Sequence, residues 1–236
     1  MTMIADNLQQ VTTRLQQACH NAGRDPAAVR LLAVSKTFPA DAVVQAHAAG
    51  QTAFGENYIQ EGVEKIQALA HLPLEWHCIG PIQSNKTRPV AEHFHWVHTV
   101  DRLKIAQRLS EQRPAGLPPL QVCIQVNVDG GPTKSGVVPS EALALAQAVA
   151  ALPGLQLRGL MCIPEPAPDF VAACAVFAGA RGLFDALNAA GLELDTLSMG
   201  MSADLEAAVQ SGSTMVRVGS AIFGGRTYPA KPADKP

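Results

Sequence analysis

Lys36 closes an apolar run, "LLAVSK" (31–36), and is followed by Thr37 and Pro39. A lysine driven to the end of a buried strand loses solvation unless it is paired, so its pKa falls readily and the amine becomes a nucleophile toward aldehydes. Two later segments, "SMGMS" (198–202) and "RVGSAIFGG" (217–225), bring glycine, hydroxyl and arginine together. Ser202 stands where it would cap a following helix whose first-turn amides face an anion. Gly219 permits close backbone approach beside the hydroxyl of Ser220, and Arg217 adds positive charge. The two segments read as a phosphate-holding arrangement. Plainer readings exist for each part: "SMGMSAD" also describes an ordinary capped strand-to-helix turn, and Lys36 also fits an ion pair with Glu56 or Asp101.

These residues lie far apart in the chain, so a fold has to gather them. Apolar runs at 31–36, 52–56, 75–80, 95–100, 120–128, 156–163, 195–199 and 214–219 alternate with helical patterns at 40–49, 58–70, 84–92, 102–112, 140–151, 168–189 and 203–210. A helix over 3–21, with Ile4, Leu8, Val11 and Leu15 on one face, precedes the first strand. Strands apolar on both faces and joined by helices imply a parallel sheet, and eight such units close a barrel. The prediction is therefore an α/β protein, a single (β/α)8 barrel over residues 1–229, with a disordered tail over 230–236. In such a barrel, chemistry sits at the C-terminal ends of the strands. Those ends are Lys36, Glu56 to Asn57, His77 to Gln83, Asp101, Asn127, Met161 to Pro164, Ser198 to Ser202 and Arg217 to Ser220. Closure sets the eighth strand beside the first, so a ligand with both an aldehyde and a phosphate would meet Lys36 and the two loops together. Pyridoxal 5'-phosphate carries both groups.

Six segments sharpen this reading: "AVSKTFP", "FGENYIQE", "WHCIGPIQSNKTRPV", "QVNVDGGPTKSGV", "LRGLMCIP" and "LSMGMSADLEAAVQSGSTMVRVGSAIFGGR". Together, from about residue 30 to 226, they resemble the pyridoxal phosphate homeostasis protein family. The resemblance implies a barrel like the N-terminal domain of alanine racemase. It also implies that Lys36 holds the cofactor as an internal aldimine, that Asn57 lies near the pyridine ring, and that Ser202, Gly219 and Ser220 bind the phosphate. Arg217 would face the pyridine nitrogen. Two departures stand out: Ser220 occupies a threonine position, keeping the hydroxyl, and Cys78 a phenylalanine position.

Strong carbanion chemistry on this cofactor needs a protonated ring nitrogen, which an arginine disfavours. Racemisation also needs a second acid/base, which alanine racemases take from a tyrosine of a second domain; Tyr58 and Tyr228 are the only tyrosines here. The expected function is accordingly a non-catalytic, monomeric cytoplasmic carrier or buffer of pyridoxal phosphate, with cofactor-requiring apo-enzymes as partners. The rivals are a racemase or related enzyme with Lys36 as base, and a Schiff-base aldolase drawing its acid/base from Glu56 or Asp101.

Bulk properties agree. The 236 residues suffice for one core, and a net charge of -2 gives no general case for nucleic acid or an anionic membrane. No signal-like N-terminus and no stretch of roughly 20 apolar residues is apparent. Five scattered cysteines read as small core residues in a reducing compartment. "GGPTKSG" (130–136) lacks the adjacent G-K-[ST] of a P-loop, leaving Lys134 as a loop lysine, and "GMSAD" lacks the second glycine of a nucleophile elbow. His93, His95 and His98 cannot all share one strand face, so "HFHWVH" is a poor metal site. The segment Gln83 to Lys86 reads equally as a helix cap or as part of the barrel mouth.

Overall fold

Eight parallel strands close into a barrel in chain order. They are β1 Arg30–Val34, β2 Ala53–Glu56, β3 Glu75–Cys78, β4 Trp96–Val100, β5 Leu120–Gln125, β6 Leu155–Met161, β7 Thr196–Ser198 and β8 Met215–Val218. This computed structural model describes residues 2–131 and 135–225; the expectations for Lys134, Tyr228 and the tail 230–236 lie outside them. Closure is made by β1 and β8, where Leu32 pairs with Arg217 and Ala33 with Val218.

The helices of the outer layer are α2 Ala40–Ala48, α3 Ile59–Ala68, α4 Thr87–His93, α5 Leu103–Gln112, α6 Pro139–Ala150, α7 Phe170–Ala189 and α8 Leu205–Gln210. α1, Met3–Asn21, precedes the barrel, and a short α9, Ser220–Phe223, follows β8. Every predicted strand and helix is present, with the differences at the ends. The 84–92 pattern splits into a 3₁₀ turn at Ser84–Lys86 and then α4, because Pro89 is tolerated only in a first helical turn. The strand within 120–128 ends at Gln125: the Val126 amide still reaches the Met161 carbonyl, while Val126 bridges to Val137 and the Asn127 amide donates to the Val137 carbonyl. The four-residue α9 had no periodicity to announce it.

Alternation along each strand builds two apolar layers. Ala33, Phe54, Val97 and Val122 pack outward against the helices, while Leu32, Val34, Ala53, Ile79 and Met215 meet inside the barrel. A second interior cluster holds Trp96, Cys123 and Met161. Between these lie polar groups with almost no exposed surface: His77, His98, Ser198 and Arg217.

Against the expectation that no stretch of roughly 20 apolar residues occurs, α7 is twenty residues long and apolar enough to cross a membrane by length and composition. Its buried residues Ala173, Phe177, Ala180, Phe184 and Leu187 recur at helical spacing in the barrel's own core cluster, and Arg181 pairs with Asp185 on its exposed side. That pattern is an amphipathic cover helix.

Candidate functional site

A cavity of about 310 Å³ opens at the C-terminal end of the barrel. Its wall contains all six residues singled out from the sequence: Lys36, Asn57, Ser202, Arg217, Gly219 and Ser220. Ile79, Ile163 and Met201, from strand-end stretches the sequence also offered but to which it gave no role, supply apolar wall between them. A larger groove of about 1150 Å³ runs between α1 and α2 past Gln9, Val44 and Ala48. It has no lysine or arginine and touches none of the strand ends that carry these six residues, so chemistry rather than size selects the barrel mouth.

The two residues flanking Lys36 are tied down by a buried charge network. Lys65 Nζ donates to the Ser35 carbonyl at 2.8 Å, to Glu56 Oε1 at 2.8 Å and to Glu61 Oε1 at 2.6 Å. The Ser35 hydroxyl also donates to Glu56 Oε1, at 2.6 Å. On the other side, the Thr37 amide donates to Glu61 Oε1 at 2.6 Å, in a backbone of φ 68 that a β-branched residue rarely adopts. Burial raises the Glu56 pKa, and the Lys65 ammonium opposes that rise. The carboxylate the sequence offered as an acid/base is thus engaged with Lys65 and Ser35, outside the cavity wall. Asp101 pairs with Arg102, and Asn127 donates to the Gly131 carbonyl; neither joins the cavity wall.

Asn57 follows β2 and is set by Gly80, where any Cβ would overlap the Asn57 carbonyl. Its side-chain Oδ1 is buried without a protein partner, although it borders the cavity. That is an acceptor a polar ligand would satisfy.

The loop after β7 corrects one expectation. Ser202 does not cap α8, which starts two residues later than predicted; Asp204 precedes it and turns its carboxylate back to accept from the Met201 amide at 2.6 Å. Ser202 is instead anchored through its carbonyl, which accepts from Arg14 at 2.8 Å, and Arg14 also pairs with Glu206 at 2.6 Å. Gly200 carries the turn at φ 94, where a Cβ would overlap Ala208. After β8, α1 reaches across again: Asn7 donates to the Ile222 carbonyl at 2.9 Å, holding α9 and Ser220 at its first position.

Arg217 is buried beneath these loops. It donates to Ser198 Oγ at 2.8 Å and to the Cys162 carbonyl at 2.9 Å, and burial lowers its pKa. The histidines of "HFHWVH" are dispersed: His95 Nδ1 accepts from the Trp76 amide, His98 lies inside the barrel, and His93 sits in the last turn of α4. No metal-competent cluster is found among the described residues. All five cysteines are free, and burial pushes Cys78, Cys123 and Cys162 up to about 12, so they are inert thiols at neutral pH. The Gln83 to Lys86 segment does not line the cavity. Sequence reasoning missed Arg14, Glu61 and Lys65, and gave Ser198 no role beyond its place at a strand end; their roles depend on partners distant in the chain or on helix faces that look solvated.

Fold and cavity together define a barrel of the alanine racemase N-terminal domain class, a family that matches residues 6–227. The pyridoxal phosphate homeostasis protein of Pseudomonas aeruginosa is 64% identical over 230 residues, covering 98% of this chain and 99% of that protein. The protein of that name from Escherichia coli K12 is 54% identical over 234 residues, covering 98% and 100%. The chain belongs to the pyridoxal phosphate homeostasis protein family. Among solved structures, PipY of Synechococcus elongatus with pyridoxal phosphate bound superposes with a TM-score of 0.81 at 38% identity, covering 94% of this chain and 100% of that one.

Proposed function

We propose that the protein holds pyridoxal 5'-phosphate in the barrel-mouth cavity and serves as an intracellular carrier or buffer of that cofactor. The carrying observation is that one cavity is walled by an amine, an arginine, two hydroxyls, a close-approach glycine and an unpartnered amide oxygen, in the fold of a relative solved with this cofactor. When bound, pyridoxal phosphate supplies an aldehyde and a ring able to delocalise charge. Lys36 would supply the amine facing that aldehyde. Ser202, Gly219 and Ser220 take the phosphate, and Asn57 and Arg217 flank the ring.

Binding without turnover is the reading the wall supports. Arg217 only donates hydrogen bonds, and a guanidinium beside the ring nitrogen would oppose protonation there. Among the described residues lining the cavity, Lys36 and Arg217 are the only ionisable side chains. Glu56 and Asp101, the acid/base candidates of an aldolase, are engaged elsewhere. A single soluble barrel in the cytoplasm, acting as a monomer and passing cofactor to apo-enzymes, completes the proposal.

The test is α-proton exchange. Protein loaded with pyridoxal phosphate is incubated with L-alanine in D2O, and the α-proton signal is followed by NMR. The expected rate matches that of free cofactor; exchange at enzyme-like rates would replace the carrier reading with a racemase-like one.

A further inference from the structure

A line of five side chains crosses the barrel interior from the N-terminal rim of β3 to the cavity. Glu75 Oε1 lies 2.8 Å from His77 Nε2, and His77 Nδ1 lies 2.9 Å from His98 Nε2. His98 Nδ1 lies 2.9 Å from Ser198 Oγ, which is 2.8 Å from an Arg217 nitrogen. The four inner members come from β3, β4, β7 and β8, and His77, His98 and Ser198 have no exposed surface. Trp96 stacks on His77 at 5.2 Å and 10°, and Arg158 covers Trp96 at 4.9 Å, so the His77 ring plane is held.

The direction of every proton in this column follows from its ends. A guanidinium only donates and a carboxylate only accepts, so Ser198 Oγ accepts from Arg217 and, with Glu75 accepting at the far end, turns its own hydrogen to His98 Nδ1. A neutral ring accepting at Nδ1 carries its proton on Nε2, so His98 donates to His77 Nδ1. By the same step His77 carries its proton on Nε2 and donates to Glu75. Reversing the order would set an unprotonated His77 Nε2 against the Glu75 carboxylate, two acceptors 2.8 Å apart.

The ionisation states agree with that order. Burial lowers both imidazoles, His77 to about 4 and His98 well below its ordinary value, so both rings are neutral at pH 7. Burial would raise Glu75, but the His77 hydrogen bond and the Arg30 charge bring it down to about 2.

Arg217 has only neutral direct partners, the Ser198 hydroxyl and the Cys162 carbonyl. The charge of Asp204 acts on Arg217 without a hydrogen bond to it, so the orientation of the guanidinium is set through Ser198 and Cys162. The geometry points to Glu75 as a positioning residue for Arg217: its carboxylate anchors a head-to-tail column that fixes the guanidinium at the cavity wall. The consequence for the cofactor rests on the function proposed above, in which Arg217 flanks the ring.

The test uses full-length protein, its Glu75→Gln variant and Arg30→Gln as a control. Arg30→Gln removes the 2.6 Å rim ion pair with Glu75 without removing a member of the column. Histidine side-chain nitrogens are read by NMR in uniformly ¹⁵N-labelled protein without cofactor, and pyridoxal phosphate affinity by absorbance titration. The expected wild-type result at pH 7 is both His77 and His98 in the Nε2–H form. Glu75→Gln should move the ring resonances of His98, which it does not touch, and weaken pyridoxal phosphate binding about three- to tenfold, the scale of one charge-assisted hydrogen bond. Arg30→Gln should do neither.

An Nδ1–H form of either ring in the wild type, which needs no variant to fold, would overturn the proposal. So would unmoved His98 resonances in Glu75→Gln, or equal effects from the two variants, which would reduce Glu75 to a rim ion pair. Wild-type protein that bound no pyridoxal phosphate would refute the carrier function, while the tautomers would still decide the column.

Discussion

Lys36 is held in place by its neighbours' contacts. Ser35 and Thr37 are both fastened to the Lys65, Glu56 and Glu61 network, and Thr37 accepts a left-handed backbone as part of that arrangement. Replacing Lys65 with methionine removes the cation from a Glu56 side chain that is 0% exposed. Breaking a buried pair from one side predicts a loss of about 3–5 kcal/mol, read as a lower urea midpoint, together with weaker cofactor retention. Thr37→Gly should act the other way, because a β-branched residue at positive φ carries strain of about 1–2 kcal/mol, partly offset by the entropy of the glycine. The expected result is a small rise in the urea midpoint. Lys36 was legible in the sequence because a lysine ending an apolar strand is anomalous by itself. Lys65 was not, because "EGVEK" on a helix reads as an exposed Glu61–Lys65 pair until tertiary packing buries it.

At the level of elements, α1 does more than cover the barrel. Through Arg14 it holds the loop after β7, and through Asn7 it holds α9 after β8, so a helix from the chain's start braces both proposed phosphate loops. Arg14→Ala should weaken pyridoxal phosphate binding about two- to fivefold, with little change in unfolding temperature, since a half-exposed ion pair contributes under about 1 kcal/mol to stability. Gly80→Ala should displace Asn57 and cost about 1–3 kcal/mol by overpacking, seen both in the urea midpoint and in cofactor affinity. The helix over 3–21 was read from its periodicity to the residue, yet its bracing role was invisible because Arg14 and Ser202 are far apart in the chain. The expected Ser202 cap failed because α8 starts at Leu205, which puts Asp204 rather than Ser202 at the N-cap position.

For the whole molecule, the barrel was legible because its strands are apolar on both faces and alternate with helices, a pattern that admits few topologies. The polar column inside it was not, since "WHC" and "VHT" do not reveal which face of a strand a histidine takes. That column has a consequence for acid stability. Burial holds His77 at about 4 when folded, against 6.5 when unfolded. Below about pH 6.5 the unfolded chain binds a proton that the folded ring refuses, so stability is complete above that pH and is lost as pH falls toward 4. Between pH 7 and pH 4.5 the loss is about 2 kcal/mol from this ring alone, measurable as the difference in urea midpoints. The central claim, that this barrel holds pyridoxal phosphate on Lys36, is tested most directly by borohydride reduction of the loaded protein and mass mapping of the labelled peptide. One label on the peptide containing Lys36, absent from Lys36→Ala, is the predicted result; a label on another lysine with Lys36 unmodified would contradict it.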